Sequence, residues 1–519
     1  MHILAIPTVS FAQQFQSLFD IDSSRDWGFD LFCRNDSTYF IRCTSFNYSV
    51  GHKYISWIKI AYDGKTVLET KRLVNRFADL YPGNPAQTKT NGAGYIAPVS
   101  LVYSHDTTFR ATCGLVRYNY FGDTIFLRTY TDTSIYVESL SSCAVMPDGG
   151  YIAGGFRGIL HPTRYPGLIV RTDSMGDTLW THTYQKFTSQ WSTINNLIPL
   201  PDGRTVVGAM STQYIDEGPP YYYTYWHNTP WFFVLDSLGN ILRDTLYGNE
   251  HLVLGPLNTF CGNLYQDAAG GYIHIGAFDS LINPDPSAYI DFPSYIAHLD
   301  TNFRITWLTH LQFDTLGHRQ PVVVKQLRDS SYLIAGDFWD FTACGNSGWA
   351  AKISRSGTIV WDHVYRSSND STHCAYFRDA AELPNGNLVF VGSAMNDSLP
   401  AWHTNNDVWL VSTDSNGCEI PGCLIPPIDS SAAVRTITNN AARFTLYPNP
   451  TSGNLTVQAP SSGTFIICNL LGQQLAHYAV GTGENNFYLP RNLAAGMYLG
   501  RFSPEGGGQT IEVRIVYLP

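Results

Sequence analysis

Two short patterns alternate along the first four hundred residues, and their alternation limits the chain to a repeating β architecture. One is a turn followed by a β-rich run: Met146-Pro-Asp-Gly-Gly-Tyr-Ile-Ala-Gly-Gly155, Leu200-Pro-Asp-Gly-Arg-Thr-Val-Val-Gly208, Asp267-Ala-Ala-Gly-Gly-Tyr-Ile-His-Ile-Gly276, Arg328-Asp-Ser-Ser-Tyr-Leu-Ile-Ala-Gly336 and Leu383-Pro-Asn-Gly-Asn-Leu-Val-Phe-Val-Gly392. Each places Asp, Asn or Gly where a tight hairpin needs unusual backbone angles. The other is a strand, a D-S-x-G-like turn and a second strand: 168–180, 231–239, 295–302, 349–361 and 408–417, with weaker copies at 57–64 and 115–122. The seven copies begin 53 to 64 residues apart. Four strands and two tight turns per period are what a propeller blade requires, because a lone four-stranded sheet cannot bury both faces.

Composition agrees. The 519 residues contain nine Glu and eight Lys, so two strong helix formers are scarce, while charged residues and aromatics each make up 14%. The fold class expected is all-β, a seven-bladed β-propeller with six or eight blades as alternatives because the second repeat, roughly 72–131, is irregular. The last copy ends at Gly417 without an outer strand, and Phe15-Gln-Ser-Leu-Phe-Asp-Ile21 is a spare one. The N-terminal segment is therefore expected to complete the last blade and close the ring, which removes an exposed edge.

The net charge of −10, without a Lys/Arg cluster, excludes the basic footprint of nucleic-acid binding. No stretch approaches the ~20 apolar residues of a spanning helix. Residues 1–12 read as the remnant of a signal peptide: apolar Ile3 to Ile6, then Ser10-Phe-Ala12 as a small-residue cleavage site, with the start codon misassigned upstream. Of ten cysteines, Cys418 and Cys423 bracket a Gly- and Pro-containing turn and are expected to form a local disulfide.

The domains expected are 13–423 for the propeller, 424–442 for a linker of Pro, Ser, Ala and Asn, and 443–519 for a small Ig-like β-sandwich of six or seven short strands. The last segment holds Tyr447-Pro-Asn-Pro450 followed by Gly453, an Asn469-Leu-Leu-Gly472 turn, and Gly496-Met-Tyr498. In these residues it resembles the C-terminal sorting domain (type A) of proteins exported by the type IX secretion system of Bacteroidetes. The resemblance implies that Tyr447, Pro448, Asn449, Pro450, Gly453, Gly472, Gly496 and Tyr498 belong to an address read by an outer-membrane translocon, with passage through the periplasm. It also implies release or attachment at the cell surface. The chain ends Val516-Tyr-Leu-Pro519 where many members carry a short basic stretch. Asp-Ser/Thr-apolar triplets such as Asp123-Thr-Ile125, Asp177-Thr-Leu179, Asp244-Thr-Leu246 and Asp397-Ser-Leu399 likewise resemble the O-glycosylation motif of such proteins, although Asp and Thr are also what blade turns want.

Catalytic and cofactor signatures are absent: no HExxH, G-x-S-x-G, Walker loop, GxGxxG after a strand, or EF-hand loop. His274 and His298 are expected as packed, hydrogen-bonded rings rather than metal ligands, and Asp20, Asp22 and Asp26 as solvated turn carboxylates. Glu217, Glu250 and Glu382 are the Glu candidates for a glycosidase, but none sits in a motif. No cofactor and no metal is expected. The connections that alternate with the recurrent turns are long and variable (185–193, 211–230, 248–259, 280–294, 367–373), and variable loops on a rigid scaffold are where binding resides. One carries Tyr221, Tyr222, Tyr223, Tyr225, Trp226 and His227 between prolines, a rigid aromatic surface for a sugar face or a protein patch. The function expected is a secreted or cell-surface non-catalytic binding protein for a glycan or protein. A secreted polysaccharide hydrolase or lyase and a structural or adhesive surface protein are the alternatives.

Overall fold

In the computed structural model the described residues are 15–21, 25–34, 38–47, 52–75, 78–83, 89–90, 94–103, 110–130, 137–160, 163–186, 191–216, 224–247, 263–277, 294–311, 317–340, 346–367, 374–395, 406–419, 445–447, 451–469, 474–490, 493, 496–505 and 511–517. Every regular element among them is a β-strand. The chain divides into two compact units, Met1–Ala433 and Val434–Pro519. The expected linker at 424–442 lies outside the described residues.

Among the described residues of the first unit the strands form seven antiparallel four-stranded meanders, spanning 25–73, 79–129, 137–184, 191–246, 263–311, 317–365 and 375–413 with 15–19. The second is irregular because its first strand is split into Asp79–Pro82 and Lys89–Thr90, both paired with Gly94–Tyr103; it touches the third through one parallel pair, Val137↔Ala111. An apolar cluster fills each junction between consecutive meanders. One joins Phe40 and Trp57 to Leu80 and Tyr118, for example, and another joins Val323 and Trp361 to Phe377 and Trp409. The last junction returns to the start, packing Val389, Val391, Val408 and Leu410 against Leu31, Ile41 and Ile58. Sheets that pack face to face and close on themselves form a β-propeller, and each meander is a blade.

Closure uses the N-terminal strand. Phe15–Phe19 pairs antiparallel with Asn406–Thr413 as the outer strand of the last blade. In two other blades a buried Trp of the third strand donates its indole N–H to an outer-strand carboxylate: Trp231 Nε1 to Asp244 Oδ2 at 2.9 Å and Trp349 Nε1 to Asp362 Oδ1 at 2.7 Å. The equivalent Trp409 donates to Gln16 Oε1 at 3.3 Å, and Gln16 Nε2 donates to Glu419 Oε1 at 2.6 Å. A residue some four hundred positions upstream thus fills the slot that a local Asp fills elsewhere, and it holds both ends of the propeller chain.

The repeat glycines have distinct physical causes. The innermost strand of five blades carries a bulge, for example between Pro321 and Val323 and between Phe377 and Asp379. Opposite these bulges a Cβ on Gly336 would lie 2.0 Å from the Gln320 carbonyl oxygen, and one on Gly392 1.8 Å from that of Tyr376. No side chain fits there. In the D-S-x-G turns the closing residue has positive φ, as at Gly417 (76°), and seats against the outer strand of the preceding blade. Its carbonyl accepts a hydroxyl from that strand: Tyr184 to Gly239 at 2.8 Å, Thr309 to Gly357 at 2.5 Å and Tyr365 to Gly417 at 2.9 Å, with Tyr130 to Gly176 at 3.0 Å from the residue just beyond it. The turn Asp caps itself, as Asp236 Oδ1 does by accepting from the backbone N–H groups of Leu238 and Asn240.

The second unit places a three-stranded sheet (Thr445–Tyr447, Asn454–Ala459, Gly483–Tyr488) and a four-stranded one (Gly463–Cys468, Gln474–Val480, Gly496–Pro504, Ile511–Tyr517) around one apolar core. Leu455, Val457, Phe465, Ile467, Phe502 and Ile515 fill it, as in an Ig-like sandwich.

Two stability predictions follow from this geometry. Gln16→Ala leaves Trp409 and Glu419 without their partner and costs about 1–3 kcal/mol in denaturant unfolding, whereas Leu18→Ala on the same strand, at a side chain 40% exposed, costs less than about 0.5 kcal/mol. Ser330 holds φ 67° where the equivalent turns have Gly; Ser330→Gly raises stability by about 1 kcal/mol by relieving that conformation, while Phe303→Gly, at the other non-Gly residue with positive φ, lowers it because the ring is buried.

Candidate ligand-binding face

Both recurrent turns of each blade open on one face of the disc. The remaining connections open on the other; the segments expected to bind at 248–259, 280–294 and 367–373 lie wholly or largely outside the described residues, while 185–193 is described except for 187–190. The segment 211–230 differs from the loop expected of it. Its alternating Tyr, Thr and Trp suit strands, and the backbone forms a long hairpin of Thr205–Asp216 and Thr224–Leu235, pairing Gln213 with His227, Tyr214 with Trp226 and Ile215 with Tyr225. Tyr225, Trp226 and His227 are thus strand residues; Tyr221, Tyr222 and Tyr223 lie outside the described residues.

At the root of that hairpin is an aromatic platform that sequence reading missed. Trp191 opens the innermost strand of the fourth blade and pairs with Thr212. Its ring is 41% exposed, stacks on Tyr165 at 5.0 Å and 27°, and lies 5.7 Å from Phe156, so third and fourth blades share it. The indole N–H is fixed on Thr193 Oγ1 at 2.8 Å, and the Ser192 N–H on the Tyr165 carbonyl at 2.7 Å. In the sixth blade Trp339, 45% exposed, stacks on His318 at 5.4 Å and 26°. In the first, the Lys53 ammonium lies 4.3 Å from the Tyr81 ring and 5.7 Å from that of Trp27. All three groups stand at the same end of their strands. The only sequence signal is a Trp or His at the mouth of an innermost strand, recognisable once the bulge three or four residues on is known.

The acidic groups behave differently. Asp26, expected as a solvated turn carboxylate, lies within the strand Arg25–Arg34 and is 0% exposed. It forms a group with Asp20 and Asp407, ligand oxygens within 4.8 Å of one another, where the closing strand, the first blade and the last blade meet; Asp22 lies outside the described residues. Among the described residues this is the group spaced to hold a cation. Burial pushes the Asp26 carboxyl up to about 7, against hydrogen bonds from Ser45 and from the Ile21 N–H at 2.8 Å. Asp337 is likewise raised to about 6 by burial, with Arg378 3.6 Å away. Asp379, raised by burial, accepts from Lys325 at 2.9 Å, from the Leu31 N–H at 3.0 Å and from the Ala380 N–H at 2.8 Å. These carboxylates tie strands and blades together. Glycosidic cleavage needs two carboxyl groups facing each other across an open pocket, and Asp26, Asp337, Asp379 and Asp407 are all buried.

The other candidates fall as follows. Glu382 accepts the Arg328 N–H at 2.8 Å, a blade-to-blade contact, while Glu217 and Glu250 lie outside the described residues. His274 is a packed ring between Tyr295 OH at 2.7 Å and the Asn263 carbonyl, its pKa lowered by burial to about 4. His298 is hydrogen-bonded to Asp267 at 2.9 Å. Cys418 is buried and its N–H bonds Asp414 Oδ1 at 3.0 Å; Cys423 lies outside the described residues. Among the described residues no helix is long and apolar enough to cross a membrane. In the sandwich Tyr447 is 47% exposed and Tyr498 is buried, the Gly453 carbonyl accepts from the Leu489 N–H at 2.8 Å, and Gly496 opens a strand; Pro448, Asn449, Pro450 and Gly472 lie outside the described residues.

Residues 445–516 match the family model of the secretion system C-terminal sorting domain. The chain therefore carries a β-propeller followed by a type IX sorting domain, which marks it for secretion and for attachment to or release from the cell surface in Bacteroidetes. No curated protein matches the sequence. Among solved structures, a PL25 ulvan lyase is similar at a TM-score of 0.46 and 9% identity, over 76% of this chain and 92% of that one. The GH93 α-L-arabinofuranosidase of Fusarium graminearum is similar at 0.39 and 10%, over 75% and 93%. The β-propeller domain of the Trilobed protease from Pyrococcus furiosus is similar at 0.37 and 9%, over 79% and 99%.

The raised Asp26 carboxyl sets a pH dependence. Between 3.8 and about 7 the folded state holds a proton that the unfolded state releases, so stability is highest below that window and falls as pH rises through it. Asp26→Asn matches wild type in Tm near pH 4 and exceeds it at pH 8; an unchanged slope between those pH values contradicts the assignment.

Proposed function

We propose that the protein is a surface-displayed or secreted non-catalytic binding protein whose seven-bladed propeller takes a glycan, or failing that a protein, on the face opposite the recurrent turns. The observation that carries this reading is the set of exposed rings there, above all Trp191 stacked on Tyr165 at 5.0 Å. The indole is held by Thr193 and by the neighbouring blade, so little side-chain freedom is lost when a sugar ring stacks on it. Tyr225, Trp226 and His227, on the strand Thr224–Leu235 that continues from this region, together with Tyr221, Tyr222 and Tyr223, are proposed to belong to the same binding surface. In this reading the mature chain begins after Ala12, Cys418 and Cys423 form a disulfide just beyond the last blade, and residues 424–442 link propeller to sorting domain.

A polysaccharide hydrolase or lyase is the second reading. It draws on the cluster of Asp20, Asp26 and Asp407, in which burial has raised one carboxyl to about 7, as a general acid requires. Against it stands the burial of Asp26 and Asp407, which leaves Asp20 as the exposed member.

Full-length protein on a glycan array is expected to bind a defined set of polysaccharides without releasing reducing or unsaturated ends. The Trp191→Ala variant weakens that binding by tenfold or more, about 1.4 kcal/mol, and Tyr225→Ala/Trp226→Ala weakens it further. Intact binding by all variants with wild-type Tm eliminates this face; end-group release that disappears in Asp20→Asn establishes the hydrolase instead.

A further inference from the structure

Blade five departs from the repeat at three positions, and the departures meet on the opposite face, among the recurrent turns. In the first hairpin turn the residue that begins the motif is Met146, Leu200, Leu327 or Leu383 in other blades, each closing the turn through the same pair of backbone hydrogen bonds; in blade five it is Asp267. On the third strand the residue before the turn is Lys59, Arg117, Arg171, Val234 or Lys352; in blade five it is His298. At the bulge of the outer strand other blades expose an aliphatic side chain, Leu68, Ile125, Leu179, Leu242 or Val360; in blade five it is Thr306.

These three side chains form a chain of hydrogen bonds. Asp267 Oδ1 is occupied by the backbone N–H groups of Ala269 (2.8 Å) and Gly271 (2.9 Å), leaving Oδ2 to His298 Nε2 at 2.9 Å and to the Tyr332 hydroxyl at 3.4 Å. His298 Nδ1 lies 2.5 Å from Thr306 Oγ1. Because ionised Asp267 only accepts, Nε2 of the neutral imidazole carries the proton and its Nδ1 lone pair faces the Thr306 hydroxyl, whose oxygen also lies 3.2 Å from the His298 carbonyl oxygen. Burial raises the Asp267 carboxyl and its hydrogen bonds with His298 and the turn outweigh that, so its net pKa is lowered and it stays ionised. Asp267 is buried, His298 is 19% exposed, and Thr306 stands open to solvent. Trp307 stacks on the imidazole at 5.8 Å and 19°, fixing its plane.

We propose that Thr306, His298 and Asp267 form a nucleophilic acyl-transfer site for small carboxylic esters, separate from the ligand-binding face. Thr306 Oγ attacks the ester carbonyl carbon while its proton passes to His298 Nδ1. Collapse of the tetrahedral adduct breaks the bond to the alcohol oxygen, which leaves with that proton, and an acyl-threonine remains. Water then attacks the acyl carbon and gives a proton to Nδ1. The Oγ–acyl bond breaks, the carboxylic acid departs, and Nδ1 returns the proton to Thr306. Ester and water become acid and alcohol with no other reactant. Asp267 holds the tautomer and the charge that His298 gains.

The full-length chain is mixed with p-nitrophenyl acetate, nitrophenolate release is followed across pH, and acetylated peptides are mapped by mass spectrometry. The expected result is acetylation at Thr306 and a release rate that Thr306→Val lowers tenfold or more, within the range of general-base assistance; the shape of the replacement is retained and the site is exposed, so folding is unaffected. His298→Gln lowers the rate by as much as Thr306→Val does, and Asp267→Asn lowers it at unchanged Tm. Equal release by wild type and Thr306→Val, or acetyl groups on lysines alone, overturns the proposal and leaves the three residues as a fastening of blade five to Tyr332 of blade six.

Discussion

The ring depends on a hydrogen bond between residues at opposite ends of its chain. Trp409 carries an indole N–H into an apolar junction, and without an acceptor that donor is a cost of about 1–3 kcal/mol. In the fourth and sixth blades the next strand in sequence supplies an Asp. In the last blade the outer strand is the N-terminal one, and Gln16 accepts from Trp409 at 3.3 Å while donating to Glu419 at 2.6 Å. A neutral amide suits this slot better than a carboxylate would, because Glu419 is already half-buried there and burial raises its pKa. Pairing of Phe15–Phe19 with Asn406–Thr413 closes the ring and covers the sheet edge, and Gln16 fastens both ends of the chain at that seam.

The same economy governs the contacts between blades. In four D-S-x-G-like turns the glycine presents a carbonyl to the blade behind it, and Tyr130, Tyr184, Thr309 and Tyr365 reach forward to it. The bond satisfies the polar end of a Tyr whose ring is packed, and it fixes the spacing of successive sheets. In the last-to-first junction Phe15 takes that place against Gly64, with van der Waals contact and an edge-on approach to Tyr39 at 6.0 Å in place of a hydrogen bond. The turn face is therefore tied down by this contact at four junctions and by Phe15 at a fifth. The opposite face has no counterpart to this series among the described residues, and its polar and aromatic groups are free of a repeated structural duty.

What was legible in the sequence follows from range. Turns are local, so Asp and Gly at fixed offsets announced the hairpins, and seven copies announced the closed ring; the spare strand Phe15 to Ile21 was found by noticing that Gly417 had no successor. The tail was legible because Tyr447, Gly453 and Gly496 lie in order within one short sandwich. The platform of Phe156, Tyr165 and Trp191 was not, since its members belong to two blades and become neighbours only when those blades pack. Asp26 was misread for the same reason: as a residue in a turn-rich segment it looks solvated, and only the closing strand and the last blade bury it. The 211–230 segment was misread through its prolines and glycine, although its Tyr and Thr favour paired strands and the ladder runs from Thr205↔Leu235 to Asp216↔Thr224.

A scaffold of near-identical sheets makes departure from the repeat informative in a way that a single-copy fold does not allow. A buried or partly buried Leu or Met at the head of the first turn serves packing in four blades, so Asp267 in the fifth gives up that apolar contact and makes hydrogen bonds within the turn instead. An exposed aliphatic at the outer bulge has no evident packing duty, so Thr306 gives up nothing. His298 stands where Arg171 and Lys352 make ion pairs with Asp148 and with Asp329 at 2.8 Å, and it keeps an acidic partner in Asp267. One such change is drift. Three that converge within hydrogen-bond reach, in a blade whose other turn also replaces Gly by Phe303 at φ 64°, are a local rebuilding of the repeat, and the group it produces at the surface is a hydroxyl facing an imidazole lone pair.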